Sequence, residues 1–210
     1  MKLYNNIEQQ TPQWHYLRKG KVTGTTLKAI IGTPKAREDA FYEVVGECLT
    51  IGDMDTKENP MDRGNRLEDQ ARAMFEFKTG KKVFTTGFCE SDEHPRMGFS
   101  PDGLIENDGH YTEDIEIKCP ETKNYVKGWF KNQIPDEYYA QVIQSFIVNE
   151  KLEKKYFVLY HPEIEVYPMH IIEVTRQDLQ GDIATYKTKE LMFIQEVEDR
   201  LAHELENIKK

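Results

Sequence analysis

The stretch between residues 98 and 120 most constrains what this chain can fold into. It carries Ser-Pro-Asp-Gly at residues 100–103. Because proline fixes φ and glycine tolerates positive φ, Asp102 is predicted to lie at a tight, rigid bend. A short strand, an Asn-Asp-Gly loop and a second strand over residues 112–118 follow, and this order is typical of a β-hairpin.

The second strand of this hairpin is predicted to carry its charges on one face. Side chains alternate along a strand, so Asp114, Glu116 and Lys118 share one face while Ile115 and Ile117 point into a core. Two carboxylates and a lysine, beside the acid of the preceding turn, are costly to place near a core unless a cation compensates them. The hairpin therefore predicts a metal site, although a solvated hairpin with ordinary surface charges would give the same residues.

The order Pro-Asp, then Glu116-x-Lys118, resembles the signature of the PD-(D/E)xK nucleases. Carboxylate oxygens are the hard ligands that Mg²⁺ prefers. A lysine two residues after the glutamate lies on the same face, where it can orient a water or stabilise charge developing on a phosphate. A short motif of this kind needs its structural context before it indicates a function.

Composition bounds the class of protein. The 210 residues favour one domain over the whole chain, 1–210, with an N-terminal helical segment over about 12–51 and a long C-terminal helix over about 176–208. The net charge of −9 argues against a passive nucleic-acid coat, because such proteins neutralise phosphates. It does not exclude a nuclease, since bound divalent cations offset part of the acidic count.

The compartment is expected to be the cytoplasm. The three cysteines are odd in number and widely spaced, which predicts neither a disulfide framework nor a zinc or iron–sulfur site. The longest apolar runs are too short to span a bilayer, and no signal peptide is evident at the start.

The remaining elements follow from periodicity and from end signals. Residues 1–11 are predicted to be a loose arm and residues 52–60 a polar loop. Helices are predicted over 12–20, 27–31, 36–51, 61–79, 121–132, 135–149 and 176–208. Strands are predicted over 82–89, 97–100, 103–106, 112–118, 156–160 and 169–174. This order predicts an α/β fold with a mixed central sheet flanked by helices.

Two further places on these helices carry candidate site residues. Glu68 shares a helical stripe with apolar residues, so it is either a boundary residue or a third acid aimed at the Asp102 cluster. Two helix N-termini near Arg18 and Thr25 would form a phosphate pocket, although capping alone explains the same residues.

Several stretches together resemble the phage lambda-type exonuclease family, the viral recombinase branch of the PD-(D/E)xK nucleases. They occur in family order and read Trp14-His15-x-Leu17-Arg18-x-Gly20-x-Val22-Thr23, Gly64-Asn65-x-x-Glu68-Asp69-x-Ala71-Arg72-Ala73-Met74-Phe75-Glu76-Phe77, Ser100-Pro101-Asp102-Gly103-Leu104, Glu116-Ile117-Lys118-Cys119-Pro120 and Tyr139-Ala140-Gln141-Val142. The combination is far more specific than any single piece. It implies a PD-(D/E)xK restriction-endonuclease-like core.

The resemblance implies a catalytic and metal-binding role for five of these residues. Asp102 and Glu116 would ligate one or two Mg²⁺ ions, for which Mn²⁺ is expected to substitute, with Glu68 as the helical acidic partner. The backbone carbonyl of Ile117 would be a further ligand. Lys118 would position and activate the attacking water.

The resemblance also implies supporting roles beside the metal. Gln141 would be the supporting polar residue on the following helix. Arg18, Thr25 and Ser100 would hold the 5′-phosphate of a DNA end, although the family often has serine where this chain has Thr25. Asp114 is an additional acid on the face of Glu116, and whether it competes as a ligand stays open.

The family further implies a ring-shaped homotrimer on double-stranded DNA ends, 5′→3′ resection and cooperation with a phage single-strand annealing protein. Two other functions remain open at this point. An endonuclease of restriction or repair type would cut a closed circle. A catalytically silent DNA-binding protein on the same fold would bind no divalent metal.

Overall fold

The computed structural model describes residues 1–49 and 62–208, and it describes side chains for residues 1–49 and 67–207. In this part of the chain the helices are α1 (Pro12–Arg18), α2 (Gly24–Ile31), α3 (Pro34–Leu49), α4 (Asp62–Thr79), α5 (Thr122–Lys131), α6 (Asp136–Val148) and α7 (Gln180–Ile208). The strands are β1 (Lys2–Leu3), β2 (Cys89–Glu90), β3 (Gly98–Phe99), β4 (Gly103–Asn107), β5 (His110–Lys118), β6 (Lys154–Tyr160) and β7 (Met169–Thr175). The predicted loop over 52–60 lies outside the described residues.

The central sheet is mixed, as predicted. Its strand order is β4-β5-β6-β7, and only β5 and β6 run parallel to each other. Parallel neighbours need a long crossover connection, and here α5 and α6 form it. A second, small antiparallel sheet consists of β1, β2 and β3.

The alternation predicted for β5 decides which side of the sheet carries the charges. Ile115 and Ile117 are buried against Phe75 of α4, in one apolar cluster. On the opposite face Glu116 is in register with Phe157 of β6, which belongs to the larger cluster around α6. The charged side chains of β5 therefore lie on the face that α5 and α6 cover.

The N-terminal residues are not a loose arm, and that prediction is wrong. β1 pairs with β2, and the Tyr4 N–H donates to the Phe88 carbonyl at 3.0 Å. The side chain of Gln9 donates to the Pro101 carbonyl at 2.9 Å, directly before Asp102. The N-terminal segment therefore stabilises the turn that carries Asp102.

The strand predicted over residues 82–89 is also wrong. Only an isolated bridge between Phe84 and Leu104 and the first residue of β2 have strand pairing there. The Val83 N–H donates to the side chain of Glu76 at 2.8 Å instead of to a strand neighbour. At Gly87 a β-carbon would lie 2.0 Å from the Ile7 carbonyl oxygen, so this segment passes tightly against the N-terminal arm.

A capping motif precedes the long C-terminal helix. The structure places residues 176–179 in turns, so α7 begins later than predicted. Thr175 and Asp178 exchange the reciprocal hydrogen bonds of a capping box, with Asp178 Oδ2 accepting from the Thr175 N–H at 3.0 Å. None of the described helices is both long enough and apolar enough to cross a membrane.

Candidate active site

Asp102 and Glu116, the two acids of the motif, are joined through the residue between the glutamate and the lysine. The Ile117 N–H donates to Asp102 Oδ2 at 2.6 Å. The bend before β4 therefore presents its carboxylate to the end of β5, next to the Glu116 side chain. The Ile117 carbonyl as a metal ligand stays a prediction.

Lys118 lies directly beside Glu116. Its Nζ is 2.6 Å from Glu116 Oε1. The Lys118 side chain is 24% exposed to solvent. Burial favours the neutral carboxyl, but Lys118 and Lys155 outweigh it and lower the pKa of Glu116 below its usual range. Burial likewise opposes the Lys118 ammonium, but Glu116 and Asp102 raise its pKa. The glutamate and the lysine are therefore both charged at neutral pH.

The pKa of Asp102 shifts upward, in the opposite direction to that of Glu116. Burial, followed by the nearby charge of Glu116, raises the pKa of Asp102 to about 7. Two carboxylates that share a dry site repel each other, and a divalent cation is the partner that relieves both effects. This environment matches the chemistry of a metal site.

Glu68 reaches the same site from α4. Burial first, and then the charges of Asp69 and Glu116, raise its pKa, whereas Arg72 and Lys118 lower it. Its Oε1 accepts from Arg72 at 2.7 Å, and Arg72 also donates to the Asp102 carbonyl at 3.1 Å. The helical acid and the turn are thus linked through one guanidinium.

Lys155 belongs to the same site, although the sequence did not predict a role for it. This lysine is fully buried, and its Nζ lies 2.8 Å from Asp114 Oδ2 and 3.7 Å from Glu116 Oε2. In the register of the parallel strands it is the direct partner of Asp114. Its position before the apolar run Tyr156–Tyr160 made it resemble a strand boundary, and only the pairing of β5 with β6 reveals its partners.

Gln141 lies on α6 at a point where the start of α2 packs closely against this helix. A β-carbon on Gly24 would be 2.8 Å from the Gln141 Cα. The side-chain oxygen of Gln141 is buried and has no hydrogen-bond partner within the described residues. A buried acceptor without a donor marks a place where a bound water or substrate group fits.

The predicted phosphate pocket is assembled around Ser100. Ser100 Oγ lies 3.0 Å from Arg18 Nη1 and 2.9 Å from the indole Nε1 of Trp14. The Arg18 guanidinium stacks over the Trp14 ring, 4.1 Å from its centre. Burial lowers the pKa of Arg18 to about 10, so it stays charged at neutral pH. Ser100 precedes Asp102 by two residues, which places this pocket beside the acids.

The role predicted for Thr25 in phosphate binding stays a prediction. It is exposed in the first turn of α2. Thr23 is instead the threonine that Arg18 contacts, with Nη2 3.4 Å from Thr23 Oγ1. Neither Trp14 nor Thr23 received a role from the sequence, although both lie in the stretches quoted for the resemblance.

The carboxylates of the site are ligands of the kind that Mg²⁺ prefers, but two of them form ion pairs with an arginine and a lysine of the same chain. Among the described residues, no group of three or more His, Cys, Asp or Glu side chains is close enough to hold a metal ion. The reason is visible at two acids, because Glu68 is turned to Arg72 and Glu116 to Lys118. A divalent ion would compete with these side chains for the same oxygens.

Comparisons with known proteins give one matching family model and several similar solved structures. A family model described as the YqaJ-like viral recombinase domain matches residues 13–151. The alkaline exonuclease LHK-Exo of Laribacter hongkongensis superposes with a TM-score of 0.83 at 26% identity, covering 95% of this chain and 98% of that one. The same enzyme in complex with dAMP gives the same values.

A more distant structure shares the fold alone. It is a phage related exonuclease from Haemophilus somnus 129PT, with a TM-score of 0.59 at 17% identity over 88% of this chain and 96% of that one. No curated protein matches the chain.

Proposed function

Because the chain belongs to the YqaJ-like viral recombinase family, we propose that it is a Mg²⁺-dependent deoxyribonuclease that degrades one strand of linear duplex DNA from 5′ to 3′. The predicted family and the predicted PD-(D/E)xK-type fold class are both confirmed. The 3′ single-stranded tails left by this reaction would serve phage recombination by single-strand annealing in the host cytoplasm.

The observation that carries the proposal is the contact of Asp102 with the backbone between Glu116 and Lys118. The hydrogen bond of 2.6 Å from the Ile117 N–H holds the two halves of the motif together. Asp102, Glu116 and Glu68 are the residues that would hold Mg²⁺, which when bound supplies Lewis-acid stabilisation of the phosphoryl group and acidifies water.

The other residues of the proposed site each have a distinct role. The ammonium of Lys118 offsets negative charge that develops on the scissile phosphate and orients the attacking water. Arg18 and Ser100 hold the terminal 5′-phosphate through charge-assisted and neutral hydrogen bonds. Gln141, whose buried acceptor oxygen has no hydrogen-bond partner among the described residues, fixes a polar group of the bound substrate.

Removing the lysine or the turn acid is expected to abolish the activity and to leave the fold. Lys118→Ala and Asp102→Asn should each lower the rate of Mg²⁺-dependent digestion of linear duplex by about 10²-fold or more. The asparagine keeps an oxygen that can accept from the Ile117 N–H. Lys123→Ala, at an exposed position of α5, is the matched control and should digest DNA normally.

The same assay separates the candidate functions. Linear duplex labelled at either end, with and without a 5′-phosphate, reports polarity and end preference, and a closed circle reports endonuclease activity. Undiminished digestion by Lys118→Ala would contradict the proposed site. Cutting of the closed circle would favour an endonuclease of restriction or repair type. Absence of divalent-metal binding by the wild-type protein in titration calorimetry would favour the catalytically silent DNA-binding protein.

Assembly and partner are part of the same proposal. A homotrimer should have three times the 24.6 kDa mass of one chain in light scattering. The partner would be a single-strand annealing protein that receives the 3′ tail, and co-purification of the two proteins from phage-infected cells would test this.

A further inference from the structure

The ion pair between Lys155 and Asp114 has no evident structural purpose. Both side chains are fully buried, and Nζ lies 2.8 Å from Oδ2. Two charges taken out of water are costly, and apolar residues of similar volume often stabilise a fold equally well. The pair lies among apolar neighbours such as Phe99, whose ring centre is 6.0 Å from Nζ. Stability alone therefore does not explain it.

Lys155 also reaches the metal-binding glutamate of the proposed site. Its Nζ lies 3.7 Å from Glu116 Oε2, whereas the Nζ of Lys118 lies 2.6 Å from Oε1. The two oxygens of Glu116 therefore have different cationic neighbours, one on each side of the carboxylate.

The two lysines differ in their freedom to move. The Lys118 side chain is 24% exposed, so its head can leave Oε1 for solvent or for a substrate phosphate. Lys155 has no exposed surface, so its head has no solvent to move into and stays confined beside Oε2. Oε1 is thus the oxygen that can exchange its partner.

Lys155 also contacts Asp114, the additional acid on the Glu116 face of β5. Asp114 Oδ2 contacts Lys155, and Oδ1 is buried without a hydrogen-bond partner in the described part of the chain. Lys155 is the cation that holds this carboxylate on the face it shares with Glu116. Burial raises the pKa of Asp114, and the Ser145 side chain, like Lys155, acts against that rise.

We propose that Lys155 is a positioning residue for the metal centre. It holds Oε2 of Glu116 so that Oε1 is presented to the divalent cation, and it retains Asp114 outside the ligand set. This inference rests on the proposed nuclease function. Outer partners of this kind typically change metal affinity 10- to 100-fold when they are removed.

The test replaces both charges together. In Lys155→Met/Asp114→Asn the net charge near the site is unchanged, so long-range attraction for a cation is preserved and only the support of Glu116 is lost. Lys154→Met is the matched control, because this neighbouring lysine is half-exposed and pairs with Glu173 at 3.0 Å. Mn²⁺ binding to the DNA-free protein is measured by titration calorimetry, with thermal unfolding in parallel.

The double variant is expected to stay folded and to bind Mn²⁺ roughly 10- to 100-fold more weakly than wild type. Its nuclease reaction should need correspondingly more Mg²⁺, with an unchanged KM for DNA ends. A purely structural pair would change the melting temperature but not the metal affinity.

Three results would overturn the inference. Wild-type Mn²⁺ affinity in the double variant would refute the positioning role while the nuclease assignment stood. If the double variant failed to fold, Lys155→Arg would decide the matter, because wild-type Mn²⁺ affinity with a shifted melting temperature would indicate a structural role. Absence of both metal binding and digestion in the wild-type protein would overturn the proposed function itself.

Discussion

Glu190 lies fully buried on α7, where its Oε1 accepts a hydrogen bond from Gln144 Nε2 at 2.9 Å. Burial raises the pKa of Glu190 to about 8 from an ordinary value of 4.5, against the opposing effect of Gln144. Between about pH 4.5 and pH 8, the Glu190 carboxyl is therefore protonated in the folded protein and ionised in the unfolded chain. Its contribution to stability is fully present below the unfolded pKa and is lost as pH rises through the folded one.

Glu190→Gln is expected to remove this pH dependence. The free energy of unfolding of the wild-type protein should fall with pH between about 4.5 and 8, by up to about 1.4 kcal/mol per pH unit from this residue. The neutral glutamine keeps an acceptor for Gln144 and does not titrate. The difference in unfolding free energy, variant minus wild type, should therefore grow with pH, and urea denaturation at several pH values measures it.

Glu196→Gln provides the control, because Glu196 lies on the same helix with an exposed side chain that pairs with Arg37. Its difference from wild type should be nearly flat over the same pH range. A flat difference for Glu190→Gln would contradict a protonated buried carboxyl.

At the scale of elements, Arg176 joins the end of α6 to the start of the last helix. Its Nε donates to the Leu152 carbonyl at 2.7 Å, and its Nη2 donates to the carbonyls of Phe146 and Asn149, each at 2.8 Å. The last carbonyls of a helix have no partner within the helix itself. One guanidinium thus caps α6, the helix that carries Gln141.

Replacing Arg176 by methionine should destabilise the protein by about 3 kcal/mol, because three carbonyls lose a charged donor while the apolar stem is kept. Thermal or urea unfolding measures the change. Arg200→Met is the comparison, since Arg200 is largely exposed and pairs within α7 to Glu204 at 2.9 Å, a contact worth about 0.5 kcal/mol or less. Equal losses in the two variants would disprove the capping role.

At the scale of the whole molecule, a net charge of −9 must be reconciled with binding to DNA. The acids at the site repel a phosphate unless a cation compensates them. The Lys118→Ala variant, which should hold DNA uncut, is therefore expected to bind a duplex end at least about tenfold more tightly in Mg²⁺ than in chelator. Fluorescence anisotropy at constant ionic strength measures this difference.

Arg18→Ala in the same background separates the two electrostatic contributions. It should weaken binding of 5′-phosphorylated ends with or without Mg²⁺, because its contact does not involve the acids. Identical affinity of Lys118→Ala in Mg²⁺ and in chelator would argue against a cation bridge between protein and DNA.

Local patterns predicted most of the central sheet and helices. β6 is buried along nearly its whole length, as its continuous apolar run predicts, and α4 buries Ala71 and Phe75 one turn apart. The failures share a cause. The N-terminal arm pairs with a segment that is remote in sequence, and Lys155 acquires its role only through the register of β6 against β5. Long-range pairing of this kind leaves no periodic trace.

The β4–β5 hairpin has a consequence for how relatives of this chain are recognised. Gly103 pairs with Ile115 beside the acids, whereas Asn107 pairs with His110 at the exposed tip. Lengthening both arms by equal steps would extend the tip and leave Asp102 and Glu116 in place. The interval between the two acids is therefore a measure of arm length, and a pattern search that demands one fixed interval would overlook enzymes with the same chemistry.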